Sequence, residues 1–131
     1  MTDEEVVRAY LELSTAGDPA AHELESGEIK FWVSGRLRMS GDLSIEQQRK
    51  AAGGIHKAFP GGYRLTIRSL VADRGRVAVE AVGEGVLPDG GLYQPSYAMF
   101  FAVDDGHITS MREYLDTEYV ASTFKVPLKH A

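Results

Sequence analysis

From position 63 onward, apolar and polar residues alternate with period two, and the alternation runs on to Asp116. Arg74-Gly75, Pro88-Asp89-Gly90-Gly91 and Asp104-Asp105-Gly106 interrupt it as turn signals, so the pattern predicts four consecutive antiparallel strands at 63–73, 76–87, 92–103 and 107–116. The first half follows a helical period instead. Thr2 and Glu5 form a capping box, after which Val6, Val7, Tyr10, Leu11 and Ser14 recur on one face until Ala16-Gly17, which predicts a helix over roughly 3–15. Asp18-Pro19 restarts the chain in a short helix through about Glu25 that ends near Gly27. A short strand at 29–34 carries the only tryptophan, Trp32, and 35–43 reads as a loop open to short strand character. Ser44 with Gln47 caps another helix, whose face is Ile45, Ala52, Ile55 and Phe59 and which Gly53-Gly54 weakens by about 1 kcal/mol per glycine. A terminal helix at 117–124 and an extended tail at Val126-Pro127-Leu128 complete the pattern. Helices first and a meander afterwards mean an α+β fold with helices packed on one face of a curved antiparallel sheet. The expected organisation is one domain over 1–131, with helices at about 3–58, the meander at about 63–116 and a tail at 117–131.

Strand parity singles out one residue. Thr109, Met111, Glu113 and Leu115 share one face of the last strand, and Ser110, Arg112, Tyr114 and Asp116 share the other. Glu113 is thus a carboxylate between two apolar neighbours, where burial without a partner costs several kcal/mol or raises the acid's pKa. A three-residue turn at Asp104-Asp105-Gly106 would pair Val103 with His107 and set Tyr97 opposite Glu113, with Tyr97, Met99 and Phe101 on the shared face. A two-residue loop would bring Ala98, Phe100 and Ala102 there instead. At Arg74-Gly75 a two-residue loop sets Glu80 beside Ser69 and Ile67 as a second buried acid, and a one-residue slip makes it a surface partner of Arg68.

Composition narrows the chemistry. There is no cysteine, which excludes disulfides, thiolate catalysis and cysteine-bound zinc. A net charge of -5 without a Lys/Arg cluster argues against nucleic acid as a partner. The acidic start and the lack of any apolar run near the ~20 residues of a membrane span point to a cytoplasmic protein with no membrane partner. His22, His56, His107 and His130 lack metal-ligand spacing, so no metal site is expected. The serines and threonines have no histidine and aspartate arranged for nucleophilic catalysis.

The chain resembles the superfamily of nuclear transport factor 2, ketosteroid isomerase and SnoaL-like polyketide cyclases. The residues that carry the resemblance are Tyr10 through Ala16-Gly17-Asp18, Ala58-Phe59-Pro60, Val79-Glu80 through Gly83-Glu84-Gly85, and Asp105-Gly106-His107-Ile108 through Arg112-Glu113-Tyr114-Leu115-Asp116-Thr117. It implies a cone of helices wrapped by a strongly curved sheet, usually a homodimer. Tyr10 matches the tyrosine that donates to the substrate carbonyl in ketosteroid isomerase, while Trp32 and Met99 stand where its base and its protonated aspartate would be. The pattern is most similar to the phenazine-biosynthesis branch, in which the glutamate matching Glu113 acts as an acid. That branch's pocket histidine falls near Ala51, its serine near Ile55, and its asparagine at Pro95.

Together these readings predict a small cofactor-free enzyme. Glu113 would move a proton in isomerisation, cyclisation, dehydration or epoxide opening of an apolar, cyclic or polyketide-like metabolite. Tyr97 and Tyr10 would polarise a substrate oxygen, with Trp32, Met99, Phe101, Met111, Leu115, Ile55 and Phe59 as the wall of the site. The alternatives are a non-catalytic carrier or sensor of a small hydrophobic ligand, and an interaction module. A homodimer would use the outer face bearing Ser110, Arg112 and Tyr114.

Overall fold

A computed structural model describes residues 1–129, leaving His130 and the end of the expected tail outside the described residues. Its elements are α1 (Asp3–Thr15), a 3-10 helix (Pro19–Leu24), β1 (Glu25–Val33), β2 (Gly41–Leu43), α2 (Ile45–Ala58), β3 (Tyr63–Asp73), β4 (Arg76–Val86), β5 (Leu92–Tyr93), β6 (Ser96–Asp104), β7 (His107–Leu115) and α3 (Thr117–Phe124). Both capping boxes form, Thr2 with Glu5 and Ser44 with Gln47. The sheet runs β2-β1-β7-β6-β4-β3, with β5 hydrogen-bonded to β4. Its inner face packs on α1, which lies across β3, β4, β6 and β7 and buries Val6, Val7, Tyr10 and Leu11 against Val77, Val79, Met99, Phe101 and Ile108. This is the expected α+β cone.

Four local expectations change. The second helix is a 3-10 turn that stops at Leu24, and β1 starts at Glu25, because Glu25 already pairs with Ile108. The pairing of β1 with β7 is parallel, so the sheet is mixed. The strand expected at 92–103 is broken into β5 and β6 by Gln94-Pro95, since proline has no N–H for the ladder. No residue of α2 is buried, and Ile45 is 39% exposed. The helix rests mainly on β1 and β2, and only Phe59, just past its end, enters the core. At the other end, Leu128 bridges to Leu37, tying the tail to the loop after β1.

Both tight hairpins use two-residue loops. Arg74 and Gly75, and likewise Asp105 and Gly106, have positive φ, the type I′ geometry that matches strand twist. The second loop pairs Asp104 with His107 and Val103 with Ile108, and then Thr109 is left over as a bulge, so that Ala102 pairs with Ser110. The extra residue restores the parity that a two-residue loop alone would have reversed. Tyr97, Met99 and Phe101 therefore do share a face with Met111, Glu113 and Leu115, but Met99, not Tyr97, lies across from Glu113, and Tyr97 is opposite Leu115. In the first hairpin the two-residue loop itself sets Glu80 opposite Ser69, and the register shifts only beyond that pair, at Arg68. Glu80 is exposed, so it is not a second buried acid.

Candidate active site

Glu113 projects from β7 into the cone. Met99 on β6 and Val33 on β1 are its lateral neighbours, and Met111 and Leu115 lie two residues away on its own strand. Among the described residues its carboxylate has no hydrogen-bond or ion-pair partner, yet none of the buried polar atoms is unsatisfied, so its oxygens retain accessible surface. Protein encloses the group so closely that desolvation alone pushes the carboxyl from 4.5 up to about 7. A carboxyl in that state gives or takes a proton at neutral pH with little driving force wasted either way.

Two phenols share this interior. The Tyr63 and Tyr97 hydroxyls are 2.5 Å apart and hydrogen-bonded to each other. Burial raises the Tyr63 phenol to about 12, with the Glu113 charge adding to the rise while the bond to Tyr97 opposes it. Tyr97 is pushed up further, again chiefly by burial, then by Tyr63 and Glu113. Both are therefore proton-bearing donors across the neutral range.

Tyr63 escaped the sequence reading because its partner lies 34 residues away. A signal existed in β4, whose inner face runs Val77, Val79, Ala81, Gly83, Gly85. Glycine in a strand interior marks the close approach of another group. Here a β-carbon at Gly83 would fall 1.9 Å from the Tyr63 hydroxyl, and one at Gly85 would fall 2.5 Å from the Phe59 ring. Phe59 in turn packs on Tyr63 (5.0 Å between centroids) and Tyr93 (5.8 Å), and α3 closes the cluster with Tyr119 and Phe124 against Tyr93, each at 4.9 Å.

The remaining expected site residues divide. Met99 and Phe101 are buried beside Glu113's layer, and Met111 and Leu115 flank it. Ile55 is half-buried on α2. Tyr10 is buried but its hydroxyl is committed, donating to Glu25 Oε2 at 2.6 Å, while Arg49 from α2 forms an ion pair with the same carboxylate. Its ring meets Phe101 edge-on at 6.4 Å. Trp32 is a correction. It pairs with Arg112 on the outer face, its ring lies 5.1 Å from that of Tyr114, and the Arg112 guanidinium sits 3.9 Å above it. The alternation of Ile29, Phe31 and Val33 with Lys30 and Trp32 already carried this assignment.

Two open depressions mark the sheet: one bounded by Arg68, Glu80, Ala98 and Tyr114, with Tyr97 and Leu115 also in its lining, the other by Val71, Arg74, Arg76 and Phe100. Glu113 lines neither. Among the described residues no group of three His, Asp or Glu side chains is placed to hold a metal, and no helix is long and apolar enough to cross a membrane.

No protein-family model matches the chain, and no curated protein matches it significantly in sequence. Solved structures do resemble it. IdmH of Streptomyces antibioticus, described as a candidate polyketide cyclase, superposes with a TM-score of 0.79 at 17% identity over 96% of this chain and 100% of that one. Bal32a, from a soil-derived mobile gene cassette, gives 0.78 at 21% over 93% and 95%. A candidate SnoaL-like polyketide cyclase from Jannaschia sp. CCS1 gives 0.73 at 18% over 95% and 92%. At these identities the likeness establishes the fold alone, the α+β cone that these structures share with this chain.

Proposed function

We propose that this cone-fold chain is a small acid–base enzyme of the polyketide-cyclase type, with Glu113 as the group that moves the proton. The observation that carries the reading is an unpartnered carboxyl, raised to about 7, in a wall of Val33, Met99, Met111 and Leu115. Such a group stores no structural bond that would explain its place there, and catalytic acids and bases are commonly tuned this way. Tyr97 donates to a substrate oxygen while Glu113 takes a proton from, or returns one to, a neighbouring carbon, which is the chemistry of enolisation and of aldol-type ring closure. The apolar walls suit a substrate with a hydrocarbon or aromatic body. The cyclase descriptions of IdmH and of the Jannaschia protein support a polyketide-like substrate. The test is turnover of a panel of cyclic and linear 1,3-diketones by the wild type and by Glu113→Gln. A loss of at least a hundredfold in the variant, with melting no lower than that of the wild type, is expected on the usual worth of a general acid–base group; equal rates would sink the reading.

A carrier of a small hydrophobic ligand is the second reading. Met99 favours it, because a thioether stands across from Glu113 where a second acid would complete a dyad. Binding of such a ligand without product, unaffected by Glu113→Gln, would select it. Either protein would pair with a second copy through the outer sheet face, where Phe100 and Tyr114 are 40% and 39% exposed beside Trp32 and Arg112. Sedimentation at micromolar concentration, with Phe100→Asp as the comparison, tests this: a dimer that the substitution dissociates is expected, and a wild-type monomer would refute it.

A further inference from the structure

The Tyr63–Tyr97 pair holds two phenolic protons, and their mutual hydrogen bond uses one. Among the described residues the other has no acceptor, since neither hydroxyl has any further hydrogen bond. The two rings are not equally free. Tyr63 is wedged against Gly83, where a β-carbon would lie 1.9 Å from its oxygen, and its ring packs on Phe59 at 5.0 Å and Tyr93 at 6.4 Å. Tyr97 stands on β6 two residues from Met99, in the layer that faces Glu113.

We propose that Tyr63 is a positioning residue of the interior site: it donates to Tyr97, turns the Tyr97 proton inward, and makes the pair a receptor for the phenolate or enolate oxygen of an apolar ligand. The inference rests on the reading of the interior as a ligand site. Among the described residues no Lys or Arg forms an ion pair or hydrogen bond with any of Tyr63, Tyr97 and Glu113. A compact anion such as a phosphate or aliphatic carboxylate would pay its full desolvation without a counter-charge. An oxyanion spread over a conjugated system loses less hydration, and two phenols in series polarise each other as they donate to it. The proton count is closed: no bond breaks, and Tyr63–O–H to Tyr97–O–H to ligand oxygen is a chain of two donations.

The probes are 2,4-dinitrophenol, ionised at neutral pH, and 2,4-dinitrotoluene, of nearly the same shape without the oxygen. Their affinities are measured by calorimetry for the wild type, Tyr63→Phe and the protein with 3-fluorotyrosine at position 63, with methyl NMR shifts of Met99 and Met111 reporting that the probe lies inside. The wild type should prefer dinitrophenol. Tyr63→Phe should weaken dinitrophenol by roughly tenfold, the worth of a hydrogen bond to a charged acceptor, and leave dinitrotoluene unchanged. The more acidic fluorotyrosine should tighten dinitrophenol alone, which keeps the test valid if the phenylalanine variant folds poorly. Loss of both probes together, or no change in their ratio, overturns the role of Tyr63 and leaves the interior site standing. Failure of both probes to bind inside the wild type overturns the site itself.

Discussion

Gly83 faces Tyr63 so closely that a β-carbon at position 83 would lie 1.9 Å from the phenolic oxygen. The missing side chain on one strand is thus the space that the Tyr63 ring occupies from the next, and Tyr63 is where the hydrogen bond to Tyr97 begins. Gly83→Ala should push the ring aside, break that bond and destabilise the fold by about 1–3 kcal/mol through overpacking. Urea unfolding measures the loss, and an unchanged midpoint would show that the ring yields freely.

The Glu113 carboxyl makes stability depend on pH in a definite direction. Its folded value, about 7, lies above the 4.5 of the exposed group, so between these values the folded chain holds a proton that the unfolded chain releases. Stability is unaffected below about pH 4.5, falls as pH rises from there, and levels off above about 7, by a total on the order of 3 kcal/mol. Glu113→Gln removes the dependence. The variant should therefore match the wild type near pH 4 in relative terms and gain on it steadily to pH 7.5; parallel unfolding profiles would contradict the raised carboxyl.

Arg49 joins α2 to the body of the molecule through Glu25, whose side chain is only 5% exposed. Arg49→Met would leave that carboxylate with Tyr10 alone and should cost about 3 kcal/mol, the penalty of a stranded buried charge. Tyr10→Phe keeps the ion pair and should cost nearer 1 kcal/mol. Thermal melts separate the two, and amide exchange in α2 should quicken in the Arg49 variant only.

At Gly53 nothing lies within 4 Å of a built β-carbon, and its φ is not positive. Gly53→Ala should accordingly stabilise α2 by about 1 kcal/mol and slow its amide exchange. If α2 is the wall that moves to admit a ligand, the same change slows association without altering the final affinity. A destabilised protein would show that the glycine serves a contact absent from this conformation.

Local chemistry in the sequence carried a great deal of this protein. The capping residues Thr2 and Ser44 and the dipeptide Arg74-Gly75 act over a few residues, and each produced its element where the pattern placed it, while the period-two run after Tyr63 gave its strands apart from the break at Gln94-Pro95, and the turn expected over Asp104-Asp105-Gly106 closed as a two-residue loop. Parity along β7 likewise sufficed to turn Glu113 inward, because a strand's faces alternate whatever it pairs with. Trp32 was legible by the same rule, from Lys30 beside it, although analogy with ketosteroid isomerase pointed the other way.

Everything that depends on which strands meet, and in what register, was settled by tertiary structure. The two-residue loop and the bulge at Thr109 together moved Met99 in place of Tyr97 across from Glu113, a shift of two residues. The parallel pairing of β1 with β7 set Val33 on Glu113's other side, across 80 residues of chain. Tyr10 was claimed by Glu25 and Arg49, and Tyr63 met Tyr97, only once the helices and the sheet had closed. The acid was written in the sequence; its neighbours were chosen by packing, because contacts between distant segments reflect the shape of the whole core and leave no short-range pattern along the chain.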